Sequence, residues 1–242
     1  MKKDIILTES QLKKVLTLIK ENIPNPNIVR AYSFDWDDNI INMPTTIKML
    51  KKTGNEWDRV NVTTSEFARV RDNKNYKLDE GAFDNFISDD SFLSDLENGL
   101  ETSSFAPSCD KFKEALMYAN PISIITARGQ SPEVLRKGMD LVISYTFSEE
   151  ELKTMIDNIQ QSIPELDGED PNTILKTYLD SQDYHPVTST QFIEKFGTGS
   201  ESALNPEENK KIALRDYVSK IVHKAKQMVN SEHNKLSVGF SD

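Results

Sequence analysis

Between Ala31 and Ile41 the chain reads Ala-Tyr-Ser-Phe-Asp-Trp-Asp-Asp-Asn-Ile-Ile, an apolar run that breaks straight into Asp35, Asp37, Asp38 and Asn39. Such a run predicts a buried strand whose carboxyl end opens into a polar site. In an open α/β sheet that end is where ligands bind. Aspartates at i and i+2 at a strand end suit a nucleophile, an acid/base and a hard metal ion. The same residues also fit a strand followed by an Asp/Asn-rich turn, so what surrounds them decides between the two.

Further along, the pattern alternates. Thr8 and Gln11 form a capping box ahead of a helix with Leu12, Val15, Leu16 and Ile19 on one face. It stops near Asn22, before Pro24 and Pro26. After the acidic cluster, residues 45–52 and 57–62 are extended runs around Thr53-Gly54-Asn55-Glu56, a hairpin turn. Residues 72–107 are acidic and irregular, partly helical, anchored by Phe83, Phe86, Ile87, Phe92 and Leu96. A helix is expected over 108–120. A strand follows from Ile122 to Thr126, then Ala127-Arg128-Gly129 and a helix opened by Ser131-Pro132-Glu133. Two more helices fall within 147–182, a strand over 184–190 and a turn-rich loop over 192–202. Asn205-Pro206-Glu207-Glu208 starts a helix reaching about Val229, and 235–240 is a last strand. Strands alternating with helices predict a parallel sheet with helices on both faces.

Composition narrows the function classes. The 242 residues carry a net charge of −10, which argues against bulk nucleic-acid binding, because phosphate neutralisation needs clustered Lys and Arg. A small phosphorylated substrate, or a nucleic-acid end held by a few side chains, stays compatible. Cys109 is the single cysteine, so an intrachain disulfide and a thiolate-rich metal site are excluded, as expected for a reducing cytoplasm. No signal peptide and no bilayer-spanning apolar stretch is read, so no membrane partner is expected. His185, His223 and His233 lack metal-ligand spacing, and Lys220, Lys224 and Lys226 read as a solvated basic face.

Three strand ends share one feature: Asp35 and Asp37 end the first, Thr126 the second, Asp242 the last. In a parallel sheet they lie on one edge. Lys210 sits in the first turns of the helix before the last strand. These residue types suit phosphoryl transfer through an aspartyl-phosphate. Asp35 attacks phosphorus, Asp37 serves as acid then base, Thr126 bonds a phosphoryl oxygen, and Lys210 stabilises its developing charge. Mg²⁺ held by Asp35, by Asp37 through its backbone carbonyl, and by Asp242 is an oxygen set typical of that ion.

This arrangement resembles the haloacid dehalogenase-like (HAD) superfamily of phosphatases and phosphotransferases. Its first motif, an apolar strand then D-x-D-x-[T/V], is matched by Asp35-Trp36-Asp37-Asp38-Asn39, with Asn39 departing from the usual Thr or Val and Asp38 standing where Gly is common. The second motif matches 122–126. The third matches Lys210, with Lys211 as runner-up, and the fourth matches 236–242. The family often has a second acid just after this point; either the sequence is cut short at the site, or Asp242 serves alone. Ile-Ile-Thr-Ala-Arg-Gly and Asn-Pro-Glu-Glu-Asn-Lys are also similar to HAD-like proteins of tailed bacteriophages.

The resemblance implies a Rossmann-like core over 28–42 and 108–242, with a helical insertion at about 147–182. A hairpin-bearing cap spans 43–107, and an N-terminal helix and linker occupy 1–27. Arg128, and Arg69 or Arg71 on the cap, become candidate substrate contacts. The implied activity is Mg²⁺-dependent hydrolysis of a phosphomonoester in the cytoplasm (the host cytoplasm for a phage protein). Nucleotides or a polynucleotide 3′-phosphate fit that setting. Two alternatives stay open: phosphotransfer to an acceptor other than water, and a degenerate HAD module acting as a binding or phage accessory protein. Asn39 and the missing second acid favour the latter; the intact Asp35/Asp37 pair disfavours it.

Overall fold

The computed structural model of the chain describes residues 28–197, 205–231 and 237–241. The expected N-terminal helix over 8–22, Asp242 and His233 lie outside them. The architecture is α/β: a parallel sheet flanked by helices, compatible with a Rossmann-like fold. Four strands, β1 (Ile28–Phe34), β5 (Ile122–Thr126), β6 (Asp183–Pro186) and β7 (Ser237–Ser241), lie in the order β6-β5-β1-β7 and pair in parallel throughout. All five residues of β5 are buried, as expected for a parallel strand covered on both faces.

Side-chain alternation decides what each face packs against. Tyr32 and Phe34 of β1 and Ile122 and Ile124 of β5 join one large apolar cluster. That cluster includes Phe112 and Leu116 of α3 (Cys109–Met117) and Leu135 and Met139 of α4 (Pro132–Thr146). Residues of opposite parity face α8 (Pro206–Ser231): Ala31 meets Tyr217 and Ile221, and Ile125 joins Ala213. Asn205 caps α8, its side-chain oxygen accepting from the Glu208 backbone N–H at 3.3 Å.

Residues 147–182 fold as α5 (Glu149–Ser162), a 3₁₀ turn (Pro164–Leu166) and α6 (Pro171–Asp180). Met155, Ile159, Ile174 and Tyr178 from this stretch sit in the same apolar cluster as the sheet. The loop read over 192–202 is instead helical in its first part. Ser189 accepts from the Phe192 backbone N–H and starts α7 (Thr190–Phe196), which ends on Gly197 in the left-handed region. Phe192 is buried against Ile125 and Val187, and burial of that ring outweighs the turn-rich composition.

Between β1 and β5 lies a small antiparallel sheet. Strands β2 (Thr46–Thr53) and β3 (Glu56–Thr63) form the expected hairpin, with Gly54 at φ 64° in its two-residue turn. Strand β4 (Tyr76–Leu78) adds to β2, and α1 (Thr64–Val70) follows a Thr63/Glu66 capping box. Helix α2 (Asp89–Glu101) then packs on α4 through Phe92 and Leu96. A Cβ built on Gly138 of α4 would stand 2.8 Å from the Phe92 ring, so the helices approach as closely as they do only because that position lacks a side chain.

Gly138→Val should therefore overpack this contact and lower stability by roughly 1–3 kcal/mol, read as a fall in the denaturation midpoint at unchanged m-value. An unchanged midpoint would mean that α2 does not sit against α4 in solution.

Candidate active site

Alternation along β1 continues past its end. Asp35 shares the parity of Ala31 and faces α8, whereas Trp36 shares that of Tyr32 and Phe34 and is fully buried beside Phe92, ring centroids 5.3 Å apart. The chain then reverses. Ile40 and Ile41 N–H groups both donate to the Trp36 carbonyl, and the Asp38 N–H to the Ile41 carbonyl at 3.0 Å. Asp38 takes φ 56°, a left-handed conformation open mainly to Gly, Asn and Asp. That requirement is met by an aspartate at this position. The Asp38 carboxylate accepts from the Thr64 hydroxyl at 2.7 Å, so it shapes the turn and holds the insertion.

Lys210, from the start of α8, donates to Asp35 Oδ2 at 2.6 Å, while the Trp36 backbone N–H donates to Asp35 Oδ1 at 2.7 Å. Lys211 instead pairs with Glu208 at the surface. Burial in the surrounding protein pushes the Asp35 carboxyl above its ordinary range. The Lys210 charge and hydrogen bond pull it back only in part, and the nearby Asp37 charge raises it further. Thr126 ends the adjacent strand, is buried, and its hydroxyl has no hydrogen-bond partner among the described residues.

Asp37 has a partner that its sequence position did not announce. Arg128 donates to both carboxylate oxygens, Nε to Oδ2 at 2.8 Å and Nη2 to Oδ1 at 2.7 Å. Arg128 is fully buried. Its Nη2 also donates to the Thr45 hydroxyl at 2.8 Å, and that hydroxyl donates to Asp95 Oδ2 at 2.5 Å. The guanidinium lies over the rings of Phe86 (4.8 Å) and Phe92 (5.3 Å). The loop after β5 is further tied to the insertion: Gly129 N–H donates to the Phe86 carbonyl at 2.8 Å, and Ser131 donates twice to Asp89. Arg128 therefore meets Asp37 and the insertion rather than open space. Arg69 and Arg71 are exposed on and just after α1, Arg69 bonding the Ser65 carbonyl and Arg71 facing Asp72.

A second group of polar side chains lies lower on the sheet. Asp183 and His185 of β6 and Asp216 of α8 place one ligand atom each within 4.8 Å of one another, close enough to hold a metal ion. Lys220 Nζ contacts Asp183 and lies 3.1 Å from Asp216 Oδ2. The reading of His185 as lacking ligand spacing, and of Lys220 as a solvated face, is corrected here. The available signal was Asp-x-His on a strand together with Asp and Lys four apart on a helix; only the fold brings the two pairs together.

No protein-family model, curated protein or solved structure matches this chain. What it does is therefore read from its own geometry. A half-buried carboxylate at the sheet edge, an ammonium ion on it, and an unpartnered hydroxyl on the next strand can accept an anionic, oxygen-rich group. Among the described residues no helix is long and apolar enough to cross a membrane.

Two outcomes follow. Arg128→Met leaves Asp37 without its counter-charge and should destabilise by about 3 kcal/mol, while the pair Arg128→Met/Asp37→Leu should recover most of that loss in a denaturant titration. His185 is driven by burial from its usual 6.5 down to about 4, Lys220 and Lys195 adding to the effect and Asp183 and Asp216 opposing it. The unfolded chain therefore takes up a proton that the native state refuses. The stability this contributes is complete above 6.5 and is lost as pH falls toward 4. Midpoints measured in chelator should drop more steeply over that window in wild type than in His185→Gln.

Proposed function

We propose that this chain hydrolyses a phosphomonoester through an aspartyl-phosphate on Asp35. One observation carries the reading. Lys210, 175 residues away in sequence, bonds the Asp35 carboxylate at the carboxyl edge of a parallel sheet, with the Thr126 hydroxyl on the neighbouring strand end. Nucleophile, charge stabiliser and phosphoryl-oxygen donor would thus share one edge.

In this reading an Asp35 oxygen forms a bond to phosphorus as the ester P–O bond breaks. Asp37 gives its proton to the leaving oxygen, then takes one from the water that attacks the acyl-phosphate, releasing inorganic phosphate and restoring Asp35. Lys210 offsets the charge on the equatorial oxygens, and Thr126 donates to one of them. The donor chemistry fits a hard divalent cation. Burial and the nearby Asp37 charge keep the Asp35 carboxyl above its ordinary range even with Lys210 in contact, and carboxylate and carbonyl oxygens suit Mg²⁺. The Asp35 carboxylate and Asp37 backbone carbonyl would hold it, with Asp242 as the further acid. When bound, it would supply neutralisation of the repulsion between carboxylate and phosphate.

Asp37 is an acceptor through both oxygens when Arg128 holds it, so its turn as an acid requires the Arg128 fork to let go. Arg128 in turn is held by the insertion, which makes displacement of residues 43–107 the natural gate. A small phosphorylated substrate, a nucleotide or a polynucleotide 3′-phosphate, is the class we favour. The Arg128–Asp37 pair is also the observation that favours a second reading, a degenerate module that binds without turnover.

p-Nitrophenyl phosphate separates them. Mg²⁺-dependent release of nitrophenol is expected from wild type. It should fall to background in Asp35→Asn and by at least about 100-fold in Asp37→Asn, with phosphate transfer to added alcohols marking a phosphotransferase. A folded wild-type protein without metal-dependent turnover on this ester, on nucleotides and on 3′-phosphorylated oligonucleotides would overturn the phosphatase reading.

A further inference from the structure

We propose that Asp183, His185 and Asp216 form a second cation site, selective for a divalent transition metal of the zinc class, with Lys220 as its resident competitor. This inference does not rest on the phosphatase reading, since the residues belong to the body of the fold rather than to the Asp35 edge.

The geometry begins with two alternate positions on a strand. Asp183 and His185 share one face of β6, the edge strand of the sheet. Asp216 and Lys220 are one helical turn apart on α8. Packing α8 on the sheet brings both pairs together. His185 is 3% exposed, and its Nε2 has no hydrogen-bond partner although it lies 3.7 Å from Asp183 Oδ1. A buried imidazole nitrogen without a partner, turned toward a carboxylate, is a donor waiting for an acceptor of its lone pair or its proton. Burial holds the ring neutral, which is the form that ligates a metal.

The remaining surroundings fit the same occupant. The rings of Phe192 and Phe196 pack beside the imidazole, centroids 6.1 and 6.3 Å away. One nitrogen and two carboxylate donors favour zinc-class ions over Mg²⁺ or Ca²⁺, which take oxygen-only sets. A tetrahedral zinc at about 2.1 Å from each donor needs them roughly 3.4 Å apart, so the three atoms, now within 4.8 Å of one another, would have to close up slightly. The cation now between the carboxylates is the Lys220 ammonium, in contact with Asp183 and 3.1 Å from Asp216. Lys195 stands 3.8 Å from Asp216. Lys220 is 39% exposed along its side chain, so it can swing to solvent when a metal takes its place. An occupied site would clamp the edge strand to the helix that carries Lys210.

The test uses the full chain with Zn²⁺, followed by calorimetry and by the ¹H–¹⁵N imidazole spectrum, in which the His185 signal is identified by its loss in His185→Gln. Wild type should bind Zn²⁺ and shift the His185 ring signal. Lys220→Met should bind about tenfold tighter or more, the size of effect that removing a charge a few ångströms away has on a cation equilibrium. Asp216→Asn, close to isosteric, should weaken or abolish the shift. An unmoved His185 signal in both wild type and Lys220→Met, with circular dichroism showing both folded, overturns the proposal. So does Zn²⁺ binding that Asp216→Asn and His185→Gln leave unchanged, because the ion would then sit elsewhere. Loss of phosphatase activity in Asp35→Asn bears on neither result.

Discussion

The Arg128–Asp37 pair organises the middle of this molecule. A buried guanidinium lies against two phenylalanine rings and must be neutralised where it stands. Asp37 does that with both oxygens, while Thr45, braced by Asp95, takes a further N–H. Asp37 comes from the turn after the central strand, Arg128 from the turn after its neighbour, and Thr45, Phe86, Phe92 and Asp95 from the insertion. Three separate stretches of chain are therefore committed to one position by one buried charge. Such a pair adds little net stability compared with an apolar replacement, but losing half of it is costly. Its main effect is to specify how the insertion sits on the core.

The sheet's alternation distributes the chemistry between two sides. The face carrying Tyr32, Phe34, Ile122 and Ile124 is apolar and continuous with the helical layer. The face carrying Ala31 and Ile125 meets α8, and every ionisable pair of interest on that side involves this one helix. Lys210 near its start reaches Asp35; Asp216 and Lys220 further along reach β6. Small residues on the strands and on the helix, Ala31 and Ala213, permit the close packing that brings these long side chains within reach.

Much of the fold was legible in local patterns. The strand at 122–126 is a continuous apolar run, the hairpin has its Gly-Asn turn, and Asn205-Pro206-Glu207-Glu208 starts a helix where capping chemistry says it should. The helix at Thr190–Phe196 was not legible, because the polar, turn-rich residues around it describe a loop and the burial of Phe192 that overrides them is a tertiary event. At the site, the placement of Asp35 and Thr126 on strand ends followed from the apolar runs preceding them. Arg128 read as a candidate substrate contact because it lies just after Thr126. Its burial depends on Phe86 and Phe92, which no local pattern places over it.

The chain alone thus determined most strand ends and helix starts, the helix at Thr190–Phe196 excepted, and which residues carry charge, since capping, turn geometry and apolar periodicity act over a few residues. Only the tertiary structure decided which charges meet. Asp35 with Lys210, Asp37 with Arg128, and Asp183 and His185 with Asp216 and Lys220 are joined by packing across distances in sequence that local rules do not span. The reason is physical: helix spacing sets the i,i+3 and i,i+4 pairs such as Lys211–Glu208, but these long-range partners are set by whichever cation the folded core brings within hydrogen-bonding distance.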